Sequence, residues 1–452
     1  LKSRRLPWLG ILGCLGFFLL SRVPAMRCAF ELNVDESMMA AQAMRYQQDL
    51  TPWRSVEGES NGPIDSWLIL LAHECGAPFG YRTLHILAAL CLAATLLASF
   101  LAARRIAGDP AALVGLAAGS WWLAWAPVQE FEHYASELAP CLLLSLALAA
   151  MLRARAAPDG PAWRWGLGAG VLLGLAPWGK LQAGPVALAL GLWAVGDTLF
   201  RPSRPGRRYA AALVAGAIAP TLLFLGWVLT AGAGQEFWRA YILGGLYHTA
   251  NKSWQLQLSN VWDLASVQPS APWFWDTLLL AIGAACLRAQ PVGRRAFILT
   301  LVLLAAGLYV TLRPITQWGH YALFCLTPLI LLAALCARRV LGDEATESGA
   351  GGNPRRRRGW IFLAVALLPL PVVADLAQGD FTEVARQWDY QHHSDFRRQS
   401  FIATAVTYYV PHPQSLAVWG WKPSLYLDLG LPPAVRSAGN AFLRDGNPSE
   451  GL

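Results

Sequence analysis

The feature that most constrains this chain is a series of about eleven apolar stretches, each near the roughly 20 residues needed to cross a bilayer as a helix. They fall at Leu6–Met26, Thr83–Ala107, Ala111–Pro127, Leu138–Arg153, Trp165–Trp178, Gln182–Leu199, Tyr209–Ala231, Phe274–Leu287, Phe297–Leu312, Tyr321–Cys336 and Trp360–Ala374. A segment in lipid must satisfy its own backbone amides, so repeated apolar runs of this length specify helices. The chain has 452 residues, 55% of them hydrophobic and only 14% charged. A soluble domain carries about 25% charged residues, which excludes a water-soluble globular protein. The 21 Trp and 12 Tyr suit aromatic belts at the two membrane surfaces. The expected fold class is therefore an all-α polytopic membrane protein of about eleven transmembrane helices.

Loop charge sets the expected orientation. Alternate short loops collect Lys2, Arg4, Arg5, the pairs Arg104–Arg105 and Arg338–Arg339, and the run Arg355–Arg358, and that face holds more than half of the 36 basic residues. By the positive-inside rule the N-terminus is cytoplasmic and, after an odd number of spans, the C-terminal segment is not. The net charge of +8 thus reflects membrane anchoring and not nucleic-acid binding. The first span reads as an uncleaved anchor. Cys28 and Cys75 are expected to stay unpaired and packed.

The expected organisation is a membrane module over residues 1–375, followed by an extracytoplasmic segment over 376–452. Three extracytoplasmic loops stand out, at 27–82, 128–137 and 232–273. In the tail, a helical pattern from Phe381 to Tyr409 precedes a strand-like run, Ser415–Trp419, suggesting a small α/β appendage.

The sharpest motif is Asn33-Val34-Asp35-Glu36, directly after the first span and leading into an amphipathic pattern that predicts an interfacial helix. Asp35 reads either as the helix N-cap, with Glu36 favouring the helix dipole, or as a general base at the membrane edge. The second loop, Gln129-Glu130-Phe131-Glu132-His133-Tyr134-Ala135-Ser136-Glu137, puts Glu130, His133 and Glu137 on one helical face. It reads as a solvated loop or a polar pocket wall. Its Glu-x-x-His spacing allows a divalent metal, although a metal site of this kind needs a second such helix. Lys180 lies between two short, proline-punctuated apolar helices, and irregular backbone of that kind survives only beside a cavity or under protein. Arg45, Arg313 and His320–Tyr321 add basic and polar groups at span ends. Each alone snorkels to headgroups, whereas several on one face, opposite carboxylates, mark a bound phosphate. There is no Gly-x-x-x-x-Gly-Lys-[Ser/Thr] loop, no Rossmann fingerprint, no His-Glu-x-x-His and no Asp-x-Asp pair, which argues against a nucleotide-driven pump or a nucleotide-sugar transferase.

These features together resemble the GT-C superfamily of polytopic glycosyltransferases, in particular its protein O-mannosyltransferase and aminoarabinose-transferase (ArnT-like) branch. The resemblance is carried by the acidic pair and its helix, by Trp53-Arg54-Ser55-Val56-Glu57-Gly58 leading to Gly62-Pro63-Ile64, by the acidic second loop and the Lys180 hairpin, by His320-Tyr321 before a span containing Pro328, and by Trp419-Gly420-Trp421-Lys422-Pro423. It implies inverting transfer of a sugar from a polyprenyl-phosphate donor to an extracytoplasmic acceptor hydroxyl, without a required cofactor. Asp35 then looks like the base, and Glu36 like the residue that orients the acceptor or the interfacial helix. Lys180, Arg45, Arg313, His320 and Tyr321 would hold the lipid phosphate, and Glu132, His133 and Glu137 would line the sugar pocket. The chain has Glu in the second loop where such proteins often have Asp. The partners implied are the lipid-linked sugar, membrane lipids and a glycan, lipid or protein acceptor, in a bacterial inner membrane. The rival reading is a flippase for the same lipid, using the same cations without covalent chemistry.

Overall fold

The computed structural model describes residues 5–58, 61–125, 129–156, 161–200, 206–250, 291–314, 318–341, 395–410, 412–418 and 422–436. The expected spans Phe274–Leu287 and Trp360–Ala374, and most of the tail helix expected from Phe381, lie outside these residues. The apolar runs form helices α1 (Arg5–Ser21), α4 (Tyr81–Ala107), α5 (Asp109–Trp125), α6 (Leu138–Ala156), α7 (Ala162–Gly179), α8 (Gly184–Leu199), α9 (Arg207–Thr230), α10 (Pro291–Leu312) and α11 (Leu326–Leu341). The loop between α1 and α4 contributes α2 (Val34–Tyr46) and α3 (Pro63–Glu74), and the tail contributes α12 (Asp395–Tyr409) and α13 (Ser424–Leu429). Among the described residues, five helical runs are long and apolar enough to cross a membrane, and α1 adds a shorter apolar one. The protein is an integral membrane protein.

The helices pack in a continuous chain. α1 lies on α5, α5 on α4 and α11, α4 on α6, α6 on α7, and α7 along α9. The last contact is closest because small residues face each other. A Cβ on Gly170 of α7 would stand 2.1 Å from the Leu213 carbonyl oxygen of α9, and one on Gly174 would stand 2.3 Å from that of Ala217. Helices in lipid gain little from hydrophobic exclusion, so such backbone approach supplies the packing that holds them together.

Two sequence expectations are revised. α2 is not a surface helix, since ten of its thirteen residues are buried, beneath α3 on one side and α13 on another. Met38 and Ala41 of α2 form a small core with Val418 and Tyr426 of the tail. The run at 415–418 is extended but makes one isolated bridge, Leu416 to Pro433, and no strand is present among the described residues. A lone bridge has too few ladder hydrogen bonds to make a sheet. Cys28 is buried and Cys75 exposed, and neither is paired.

Candidate active site

The site is assembled where α2, the turn before α6, the α7–α8 junction and the 3-10 turn Gly319–Cys325 meet. Asn33, not Asp35, caps α2: its side-chain oxygen accepts the backbone N–H of Asp35 at 3.0 Å. A cap one position from the helix start is the usual use of Asn. It leaves the Asp35 carboxylate free of capping duty, 26% exposed, with its Oδ2 lying 3.9 Å from His320 Nε2.

The neighbouring carboxylate has the opposite surroundings. Glu36 is fully buried and accepts the backbone N–H groups of Leu32 (2.7 Å) and Tyr134 (3.3 Å) and the Nε2–H of His85 (3.1 Å). Burial pushes its pKa up, but the charge and hydrogen bond of His85 outweigh this and hold it below the ordinary carboxylate range. Adjacent helical residues point about 100° apart, so one acid is buried and the other partly exposed. Of the two roles open to Glu36, orientation of the helix is the one this geometry fits.

Lys180 occupies the break between α7 and α8, in extended backbone. Gly62 sets that break in place. It donates its N–H to the Gly179 carbonyl at 2.5 Å, and a Cβ there would fall 1.8 Å from the Trp178 carbonyl oxygen. The Gly62-Pro63 pair thus lets the first loop lie against the junction and starts α3 beside it. The Lys180 ammonium donates to Ser136 Oγ (2.8 Å), pairs with Glu137, and sits 4.7 Å from the Tyr321 ring centroid. Burial pushes the lysine down, but its carboxylate partner dominates and keeps it above the usual range. Glu137 is likewise pushed up by burial and pulled below its ordinary value by Lys180 and His320. Its second oxygen lies 3.7 Å from His320 Nε2. The chain of groups Lys180, Glu137, His320, Asp35 is therefore continuous.

Other expected residues separate. His133 is buried, its ring edge-on to His320 with centroids 5.2 Å apart. Glu132 pairs with the buried Arg22 at 2.9 Å and so anchors the end of α1. Arg45 is in the last turn of α2, about 15 Å along the helix from Asp35 at 1.5 Å per residue, and donates to Gln48 at 2.6 Å. Arg313 directly follows α10 and is half-buried. Among the described residues, no group of three or more His, Cys, Asp or Glu side chains is arranged to hold a metal ion.

Three partners went unassigned in the sequence. His85 holds Glu36, and Ser136 holds Lys180. Asp65, in the first turn of α3, is wholly buried with neither carboxylate oxygen hydrogen-bonded. Burial, reinforced by Glu137, raises its pKa well above the carboxylate range, against the opposing pull of Lys180. Its spacing from the buried Ile69, four residues on, is the signal that puts it on the interior face.

A small groove, with room for little more than about one water molecule, lies between α6, α8, α10 and α11 near this polar cluster. It is lined by Cys141, Leu144, Leu148, Val186, Leu190, Leu303, Leu323 and Phe324. Cys141 is one turn below Glu137, and Leu323 follows Tyr321 by two residues. The hydroxyls of Ser145 and Thr327 in the groove bond each other at 2.7 Å.

This bundle of apolar helices shares its fold with solved structures. It is similar to ArnT from Cupriavidus metallidurans bound to undecaprenyl phosphate, at 17% identity and a TM-score of 0.58 over 97% of this chain and 88% of that one. It is also similar to the archaeal oligosaccharyltransferase AglB from Archaeoglobus fulgidus in complex with an inhibitory peptide and a dolichol-phosphate, at 12% identity and a TM-score of 0.61, over 97% of this chain and 65% of that one. No family model and no curated protein matches the sequence.

Proposed function

We propose that the protein is a membrane glycosyltransferase that moves a sugar from a polyprenyl-phosphate donor to an extracytoplasmic acceptor hydroxyl, with inversion at the anomeric carbon. The observation that supports this reading is a continuous run of ionisable groups: the partly exposed Asp35 lies 3.9 Å from His320, His320 lies 3.7 Å from Glu137, and Glu137 pairs with the buried Lys180. The neighbours' printed ligands, undecaprenyl phosphate and dolichol-phosphate, support the donor class.

In this reading the lipid phosphate sits beside Lys180, Tyr321 and His320. Asp35 takes the proton of the acceptor hydroxyl. The acceptor oxygen bonds to the anomeric carbon as the bond from that carbon to the phosphate oxygen breaks, and the lipid phosphate departs with the electron pair. Positive charge near the phosphate stabilises the charge that develops there, and low dielectric strengthens the effect. A positioned carboxylate base contributes about 10²–10⁴-fold.

The test is a panel of undecaprenyl-phosphoryl hexoses and pentoses incubated with the purified protein, with release of undecaprenyl phosphate followed by mass spectrometry. Release by the wild type, and its loss in Asp35→Asn with lipid binding retained, is the expected result. Movement of intact donor across a vesicle membrane without release identifies a flippase, and full turnover by Asp35→Asn overturns the base assignment.

A further inference from the structure

Glu130 is not among the groups that meet sugar or phosphate in this scheme, yet it joins the two halves of the site. It sits in the 3-10 turn Gln129–Phe131. Its Oε2 lies 2.5 Å from His320 Nδ1 and accepts the backbone N–H of the same residue at 3.4 Å. Its Oε1 accepts the side-chain amide of Asn33 at 3.2 Å. Asn33 is the cap that receives the Asp35 N–H. One carboxylate therefore grips the loop bearing His320 and the first turn bearing Asp35. Gly319 leaves room for it, since a Cβ at that position would stand 3.2 Å from the Glu130 side chain.

The protonation pattern follows. Burial pushes the Glu130 carboxyl up, but the hydrogen bond and charge of His320 bring it down to about 2. Ionised, it can only accept, so Nδ1 of His320 carries a hydrogen and Nε2 is the nitrogen turned to the reacting side. Nε2 is buried without a hydrogen bond, 3.9 Å from Asp35 and 3.7 Å from Glu137. Both distances are too long for a direct bond, but an oxygen about 2.8 Å from Nε2 and from Asp35 Oδ2 closes a triangle over the first gap. The groups facing this imidazole are Glu130 and His133 from the second loop, Asp35 from α2, Glu137 from the start of α6, Lys180 from the α7–α8 junction and Tyr321 beside it.

We propose that Glu130 is the positioning residue of this site: by holding His320 at Nδ1 and Asn33 at its amide, it sets the gap between His320 Nε2 and the Asp35 carboxylate in which a substrate oxygen is bound. The proposal rests on the reading of Asp35 as the base. Misplacing reacting groups by about 1 Å costs on the order of 10²-fold in rate, so loss of this clamp acts on kcat and leaves donor KM within about threefold.

The experiment exchanges donor and acceptor across the Glu130–Asn33 contact. Glu130→Gln still accepts the Nδ1–H of His320 but turns its amide hydrogens toward those of Asn33. Asn33→Asp alone sets two carboxylates against each other. The double variant restores both bonds with the roles reversed, and Asp is as good a helix cap as Asn. Each single variant is expected to lose about 10- to 100-fold in kcat on the undecaprenyl-phosphoryl sugar that the wild type uses, and the double variant to recover to within about threefold. A double variant no better than the singles, or Glu130→Gln at wild-type kcat, overturns the proposal. A second readout needs no turnover: ¹⁵N-histidine solid-state spectra, with His320 assigned by its loss in His320→Gln. A protonated Nδ1 in the wild type that changes in Glu130→Ala is expected, and an unprotonated Nδ1, or a spectrum unmoved by Glu130→Ala, also overturns it. If the wild type releases lipid phosphate from no donor, the base reading falls, while the ¹⁵N signal still decides the role of Glu130.

Discussion

Asp35 and Glu36 are adjacent in sequence, and the structure predicts opposite consequences for losing them. Replacing Glu36 by Ala leaves three buried donors without an acceptor: the N–H groups of Leu32 and Tyr134 and the Nε2–H of His85. Each stranded donor costs about 1–3 kcal/mol, and breaking a buried ionic contact by removing one partner costs about 3–5 kcal/mol. These terms overlap, because the same carboxylate serves all three donors. The expected loss is therefore about 3–5 kcal/mol, a large part of a typical net stability of about 5–15 kcal/mol. Asp35→Asn strands nothing, since no hydrogen bond from a described residue reaches its carboxylate, and its stability should stay within about 0.5 kcal/mol of wild type. The assay is thermal unfolding of the detergent-purified protein, followed by tryptophan fluorescence and far-UV circular dichroism. The pH dependence has a definite sign. The folded-state pKa of Glu36 lies below its ordinary value of 4.5, so its contribution is present above that value and is lost as pH falls through the lower folded one. The gap between wild type and Glu36→Ala should close in acid. Equal midpoints for Glu36→Ala and Asp35→Asn at neutral pH would show that burial of this acid does not hold α2 in place.

Two further predictions follow from the buried charges. Lys180→Met strips Glu137 of its ammonium partner, leaving His320 3.7 Å away, and should destabilise the protein by about 3–5 kcal/mol, whereas Lys180→Met with Glu137→Leu should regain most of that stability. If donor turnover returns with the stability of that pair, as read from unfolding midpoints and lipid-phosphate release, Lys180 has no role beyond the fold. Asp65 has a folded pKa raised above its ordinary 3.8, so the stability it contributes is full below that value and declines as pH rises toward the higher folded one. Asp65→Asn should remove this slope and leave the protein more stable than wild type at neutral and alkaline pH. A pH–stability profile identical to wild type would show that the Asp65 pKa is not raised.

Local patterns carried much of this protein. Hydropathy marks a span residue by residue, and most of the spans expected within the described residues match a single α-helix. The run at Leu6–Met26 is split at Arg22 between α1 and a short helix over Val23–Arg27, and Tyr321–Cys336 begins as a 3-10 turn before α11. The break at Lys180 was legible because proline and short apolar length act within a few residues. The acidic pair was legible because an Asn-Val-Asp-Glu run after a span is a helix start whatever surrounds it. What sequence could not rank was which charged group meets which. Glu36 answers to His85, 49 residues away, Lys180 to Glu137, 43 away, Arg22 to Glu132, 110 away, and Glu130 to His320, 190 away. By itself, then, the sequence determined that the chain is a helical membrane protein with acids and cations at span ends, because insertion energy and helix capping are sums over neighbours in the chain. Only the tertiary structure decided that Asp35 is partly exposed while Glu36 is buried, that Glu132 pairs with Arg22, and that Arg45 stands a helix length from Asp35. Those outcomes depend on desolvation and on pair distances of a few ångströms, quantities that exist only once distant segments have packed.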